Sequence, residues 1–210
     1  MNAIKLFLRY NTQLVEILGV KSFWFMLILI FSTILSYSIA ALTTNFNILP
    51  FFLSVLLDSL LSITITYCCF ASNTELSDIK KEFYGLIDFI KEYYPMVFLS
   101  QLLFGVICFI GLSLLILPGI LALFFLPYCY FFVMLEGKSP VESIILSYQF
   151  VKKIWQLQLA ASMAQLFAVF CLIIVTSLGN VILIVIMQNM VFMYYTLINL
   201  IIFVDNKKLR

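Results

Sequence analysis

The chain has 210 residues, 64% hydrophobic and only 10% charged, with a net charge of +2 and a mean hydropathy of +1.15. A soluble domain carries about 25% charged residues, so this chain has too little polar surface to cover a water-soluble globule. It has no histidine, which removes the commonest general base and the commonest neutral metal ligand. The five cysteines, Cys68, Cys69, Cys108, Cys129 and Cys171, all lie in apolar runs, where they read as packing residues and not as a disulfide framework.

The apolar runs are continuous over about 20 residues, the length of a membrane-crossing helix. Barrel strands would instead alternate over about 10 residues. The expected fold is therefore all-α: a polytopic membrane protein with six transmembrane helices as three hairpins and three cytoplasmic interfacial amphipathic helices. Residues 1–210 form a single integral membrane domain in this reading.

At the N-terminus, Lys5, Arg9, Glu16 and Lys21 are spread ahead of the first apolar run. A secretory signal has a short basic region and a brief apolar core, so the first run is read as retained. Ile4, Phe7, Leu8, Val15 and Leu18 fall on one side of a helix, with Lys5, Arg9, Thr12 and Glu16 on the other. That division predicts an interfacial helix. Spans one and two follow at about 22–42 and 50–70. Residues 77–92 place Ile79, Phe83, Leu86, Ile87 and Ile90 at helical spacing behind a Ser77 cap, predicting a second interfacial helix. Spans three and four are placed at about 95–117 and 119–135. A third interfacial helix is predicted over 140–153, with Val141, Ile144, Ile145, Tyr148 and Val151 on its apolar side. Ser139 is its cap, and Pro140 takes the first helical position. Spans five and six complete the set at about 155–178 and 181–204.

All twelve Lys and Arg fall in four segments: the N-terminus, 71–94, 136–154 and the C-terminus. The other three connections carry none, and with six spans the two kinds alternate. The positive-inside rule then puts both termini in the cytoplasm. The outer face is left with three short uncharged turns, too small for a recognition domain.

Each pair of spans follows one amphipathic segment, which suggests three parallel repeat units, 1–71, 72–136 and 137–210, related about the membrane normal. Lys then aromatic recurs where each outgoing span begins: Lys21 with Trp24, Lys91 with Tyr93 and Tyr94, and Lys153 with Trp155. These are the expected interfacial anchors at headgroup level.

One stretch carries a recognisable pattern: Leu117-Pro118-Gly119-Ile120, Ala122-Leu123, Pro127-Tyr128, Leu135-Glu136-Gly137-Lys138-Ser139-Pro140, Glu142 and Ser147. It resembles the uncharacterised YciC-like family of six-span bacterial inner-membrane proteins. It is also similar to the membrane domain attached to some glycerophosphodiester phosphodiesterases. Ser143 and Ile145-Leu146 depart from that pattern, standing where many members have Ala and basic residues. The resemblance implies a bacterial inner-membrane location. It implies no phosphodiesterase activity, which would reside in a separate barrel.

Asp58 is the only charged residue inside an expected span. It lies about nine residues from the outer end, or about 13 Å deep, and a charged Asp at a helix centre costs ~2.5–3.5 kcal/mol on insertion scales. Pro127 and the pair Gln188-Asn189 lie at comparable depth in the other returning spans, and Pro127 deprives the Leu123 carbonyl of its helical hydrogen bond. Asp58, Leu123, Pro127, Gln188 and Asn189 are thus a candidate midplane polar site. Gln101 and Gln165 read as interhelical glue worth about 0.6 kcal/mol each.

No Gly-rich phosphate loop, metal-ligand spacing or nucleophile elbow occurs, and the sequence suggests no cofactor. The basic clusters suit the bilayer and anionic phospholipids of the inner leaflet and are too small for nucleic acid. One in-span acid without histidine leaves no acid/base pair. The function expected is non-enzymatic, in envelope or lipid homeostasis or as a membrane scaffold. The alternative is a small transporter or channel using the site around Asp58.

Overall fold

The structure, a computed structural model, describes residues 3–20, 26, 28–36, 49–70, 79–114, 116–176 and 181–208. Its elements are α1 (Ala3–Val20), α2 (28–36), α3 (Leu49–Phe70), α4 (Ile79–Leu114), α5 (Ile116–Phe125), α6 (Cys129–Glu136), α7 (Pro140–Lys153), α8 (Trp155–Thr176) and α9 (Val181–Lys208). No strand occurs among the described residues. Four stretches there are long and apolar enough to cross a membrane: Tyr84–Gly111, Leu117–Glu136, Trp155–Leu172 and Leu183–Lys207. Leu53–Cys69 is a shorter apolar helix. Lys21, Trp24, the Ser77 cap and most of the first expected span lie outside the described residues.

The second, fifth and sixth expected spans coincide with α3, α8 and α9 to within a few residues. The third does not. Residues expected as a separate interfacial helix are continuous with the span, in one 36-residue helix that contains Pro95. At 1.5 Å per residue it is about 54 Å long, well beyond the ~30 Å of a hydrocarbon core. Pro95 is exposed, as is Lys91 four residues earlier. The carbonyl that loses its partner therefore faces outward, where polar surroundings can satisfy it, and the helix continues.

The fourth expected span is broken into α5 and α6, with Leu126, Pro127 and Tyr128 between them. Downstream, the Glu136–Pro140 turn behaves as its residues dictate. Gly137 takes φ 62°, the left-handed conformation that suits glycine at a helix end. Its N–H donates to the Val133 carbonyl, and the Lys138 N–H donates to that of Phe132. Ser139 Oγ then accepts from the Glu142 N–H at 3.3 Å and caps α7. Lys138 and Glu142 pair at 3.2 Å across the same turn.

The two short amphipathic helices bury part of the face their periodicity suggests, through Phe7 and Leu18 of α1 and Ile144 and Val151 of α7, and turn the rest outward. In α1, Tyr10 and Leu14 form the buried seam, while Leu8 and Val15 are exposed. In α7, Pro140, Ser143, Ser147, Phe150 and Val151 are buried, while Val141, Ile145 and Tyr148 face outward. Small serines let α7 approach α4 and α6 closely, so it packs by its narrow side and turns its bulky apolar residues away from the protein.

The largest core cluster draws on α1, α2, α3, α4, α6, α7, α8 and α9, and its aromatic centre lies where α6, α7 and α9 meet. Phe132 and Phe203 meet edge-on at 4.9 Å and Tyr128 and Phe150 at 4.8 Å, while Phe150 and Phe203 are tilted at 5.3 Å. Lys207, in the last turn of α9, stands 5.1 Å from the centre of the Phe132 ring and pairs with Glu136 at the end of α6.

Candidate functional site

The break between α5 and α6 is closed by a side chain from another helix. Ser147 Oγ, on α7, donates to the Phe125 carbonyl at 3.0 Å and accepts from the Tyr128 N–H at 3.2 Å. Backbone groups that Pro127 forces out of the helical ladder are satisfied across the helix–helix contact. The freed segment drops Tyr128, 0% exposed, into the interior, where its hydroxyl donates to Gln158 Oε1 at 2.7 Å. Pro127-Tyr128 and Ser147, three of the residues in the quoted sequence pattern, therefore form one physical unit.

Several polar side chains inside the apolar helices hold helices to one another. Gln101 of α4 bridges two serines of α3: Ser59 Oγ donates to its Oε1 at 2.8 Å, and its Nε2 donates to Ser62 Oγ at 2.9 Å. Gln101 is thus the expected glue. Gln165 is half-exposed and makes no such bond among the described residues; on α8 the buried, bonded amide is Gln158, about two helix turns closer to the start.

A different arrangement occurs on α9. Thr196 and Asn199 are both 0% exposed. Among the described residues, neither Thr196 Oγ1 nor Asn199 Oδ1 and Nδ2 has a hydrogen-bond partner. The Tyr195 hydroxyl lies beside Asn199, and the Tyr130 hydroxyl of α6 lies beside Thr196, in each case short of a formed bond. Asp58, half-buried on α3, acts electrostatically on Tyr130. Thr196 and Asn199, with Tyr130 and Tyr195 as their polar neighbours, thus form a buried polar cluster on α9, and Tyr130 also lies within the field of Asp58.

This is not the set read from depth along the spans. Gln188 is exposed. Asn189 is buried but donates to the Val185 carbonyl of its own helix at 2.9 Å. The Leu123 side chain is exposed, and Pro127 is buried in the break. No hydrogen bond or ion pair joins Asp58 to any of these four among the described residues. Depth along a helix was readable; the direction in which each side chain points was not. A Thr and an Asn three residues apart within an apolar run was the available signal for the α9 pair.

At the other end of the apolar helices, Lys153 and Trp155 line a surface cavity of about 390 Å³ together with Leu6, Ile154, Gln156, Leu157 and Asn206. It lies between the start of α8, α1 and the last turns of α9. Lys91 is exposed and sits near Asp88 at 3.9 Å. Tyr93 packs on Phe89 at 4.6 Å and Tyr94 on Phe98 at 6.1 Å.

The same end holds Tyr10 of α1, 1% exposed, with its hydroxyl facing Asp205 and Asn206 of α9. Burial first, and then the hydrogen bond to Asp205, push its pKa up to about 12. Asn11 Oδ1 accepts from the Tyr194 hydroxyl at 2.9 Å nearby. No family model, curated protein or solved structure matches this chain.

Proposed function

We propose that this chain is a six-span, non-enzymatic integral protein of the bacterial inner membrane, akin to the YciC-like family, that serves as a scaffold in envelope or lipid homeostasis. The observation that carries this reading is the division of side chains on α4 and α8. Their outward faces are large and apolar, with Phe109 67% and Phe167 69% exposed, while Gln101 and Gln158 turn inward and bond to neighbouring helices. Such a surface suits lipid, and such an interior is spent on holding helices together. The cytoplasmic placement of both termini rests on the distribution of Lys and Arg. It is supported by the packing of α1 against α9, through Tyr194 with Asn11 and Asn206 with Tyr10.

Anionic phospholipid of the inner leaflet is the partner that suits this reading, with Lys153 and Trp155 at the cavity beside α8 as its contact. The test is lipid analysis of protein purified from bacterial membranes and returned to nanodiscs. Phosphatidylglycerol is expected to be enriched over phosphatidylcholine, and Lys153→Glu to lose that enrichment. Equal retention of both lipids by the unaltered protein would remove the lipid assignment. Topology is tested in a cysteine-free background. Cysteine at Lys138 or Lys208 is expected to label only from the cytoplasmic side, and cysteine at Thr44 only from outside.

A second reading, a small transporter or channel, is favoured by one observation: among the described residues Thr196 and Asn199 are buried without a formed hydrogen bond, with Tyr130 beside Thr196 and in the field of Asp58. Labelling of cysteines placed around Asp58 and Gln188 by water-soluble reagents discriminates the two. A dry bundle counts against transport.

A further inference from the structure

We infer that the cavity beside α8 selects a phosphoglycerol headgroup by its hydroxyls as well as its charge, with Lys153 on the phosphate and Asn206 on a glycerol hydroxyl. The inference rests on the anionic-lipid reading above and names the headgroup that the cavity takes.

Asn206 decides what a ligand must bring. It lines the cavity, yet its Nδ2 is already engaged inside the protein, donating to the Ile202 carbonyl at 2.8 Å and to the Tyr10 hydroxyl at 3.4 Å. A carbonyl only accepts, so the amide cannot be turned the other way. The Tyr10 hydroxyl directs its own proton to Asp205 and is left to accept from Asn206. What Asn206 offers a ligand is therefore Oδ1, an acceptor that neither bond occupies. The ligand must supply a donor.

Charge narrows the choice. Lys153 is the one charged side chain among the described residues of the lining, and it is exposed and pairs with no acid there. Asp205 faces Tyr10 and does not line the cavity. One positive charge and no negative one suit a phosphate monoanion and leave the ammonium of an ethanolamine or serine headgroup without a counter-ion. The donor that meets Asn206 is then a hydroxyl, and glycerol phosphodiesters carry both groups. Gln156, exposed on the same wall, has a donor and an acceptor for the second hydroxyl. The cavity, about 390 Å³, falls in the ~300–1,000 Å³ range of ligand pockets. A lipid is favoured over a soluble phosphodiester because an apolar track leaves the cavity. Trp155, Leu159, Met163 and Leu166 are all exposed and succeed one another at helical spacing on α8. They cover about 16 Å along its axis, about half the ~30 Å of a hydrocarbon core and hence the reach of one leaflet's acyl chains.

The experiment titrates the full chain in detergent with three lipids and reads binding by native mass spectrometry. The lipids are phosphatidylglycerol, phosphatidylmethanol (the same single charge without hydroxyls) and phosphatidylcholine. Phosphatidylglycerol is expected to bind about fivefold more tightly than phosphatidylmethanol, the effect of one net hydrogen bond, and phosphatidylmethanol more tightly than phosphatidylcholine. This comparison needs no variant to fold. Equal affinity for the two anionic lipids overturns the hydroxyl recognition and leaves the anionic-lipid reading standing, whereas equal affinity for all three removes both. Asn206→Leu is expected to erase the preference between the two anionic lipids, and Lys153→Gln to weaken both alike. A preference that survives in folded Asn206→Leu overturns the role of Asn206. Deacylated glycerophosphoglycerol is expected to compete only at about a hundredfold excess or more, since it cannot use the apolar track. Competition at equal concentration assigns the cavity to a soluble phosphodiester and overturns the lipid.

Discussion

Ser147 shows how much one hydroxyl can carry when a proline opens a helix. Its two bonds, to the Phe125 carbonyl and from the Tyr128 N–H, bridge the gap between α5 and α6. Ser147→Ala leaves both backbone groups buried and unpaired, and is expected to cost about 1–3 kcal/mol, read as a lowered melting temperature in detergent. Gly111 is a second such position. A Cβ built there would stand 2.7 Å from the Gly119 backbone nitrogen, and backbone cannot move aside as a flexible side chain can. Gly111→Ala should destabilise the α4–α5 contact by about 1–3 kcal/mol, measurable in the same melt. Neither glycine–glycine proximity nor the Ser147 bridge follows from spacing along the chain.

Tyr10 adds a pH dependence at the same scale. The unfolded chain ionises near the ordinary tyrosine value of about 10, and the folded protein at about 12. Below pH 10 both states hold the proton and stability is unaffected. Between 10 and 12 the unfolded state releases it first, so stability falls as pH rises through that window. Tyr10→Phe should flatten this fall, as measured by melting temperature against pH.

Among the elements, α7 is the most informative. Its limits follow from Ser139, Pro140 and Gly137, and the structure places the helix over the residues expected. Its orientation is set by what it packs against. Ser143 is 0% exposed and lies 3.5 Å from Ser100 of α4, whereas Val141 is 64% exposed. Ser143→Leu is therefore expected to disrupt folding, by overpacking worth about 1–3 kcal/mol, while Val141→Leu leaves the melting temperature unchanged. Equal effects at the two positions would reverse the assigned face. α4 teaches a related lesson: an exposed proline need not end a helix when the carbonyl it orphans also faces outward.

At the scale of the whole molecule, the last turn of α9 is tied to the end of α6 by Lys207, Glu136 and two aromatic rings. The two charged side chains are 27% and 23% exposed, between the surface and buried cases. Removing either partner is expected to cost more than the ~1 kcal/mol of an exposed pair and less than the ~3 kcal/mol of a buried one. A double-mutant cycle of Lys207→Gln and Glu136→Gln measures the coupling. Asp58 belongs to this scale too, because Tyr130, which stands in its field, comes from another helix. Asp58→Asn and Asp58→Leu separate a hydrogen-bonding role, retained in the first, from one that needs the carboxyl.

Composition, run length and charge position are properties of the chain taken in one dimension. They sufficed to determine the helical class, the limits of α3, α7, α8 and α9, and the stop–start turn from Glu136 to Pro140, because each depends on residues within a few positions of one another. The tertiary structure decided the rest. Which side of α7 is buried depends on the shape of the partner helices as well as on apolar periodicity, so small serines outcompeted larger apolar residues for the close contact. The polar site moved from Gln188 and Leu123 to Tyr130, Thr196 and Asn199 because equal depth in a bilayer does not make two side chains face each other; the rotation of each helix about its axis does, and long-range packing sets that rotation.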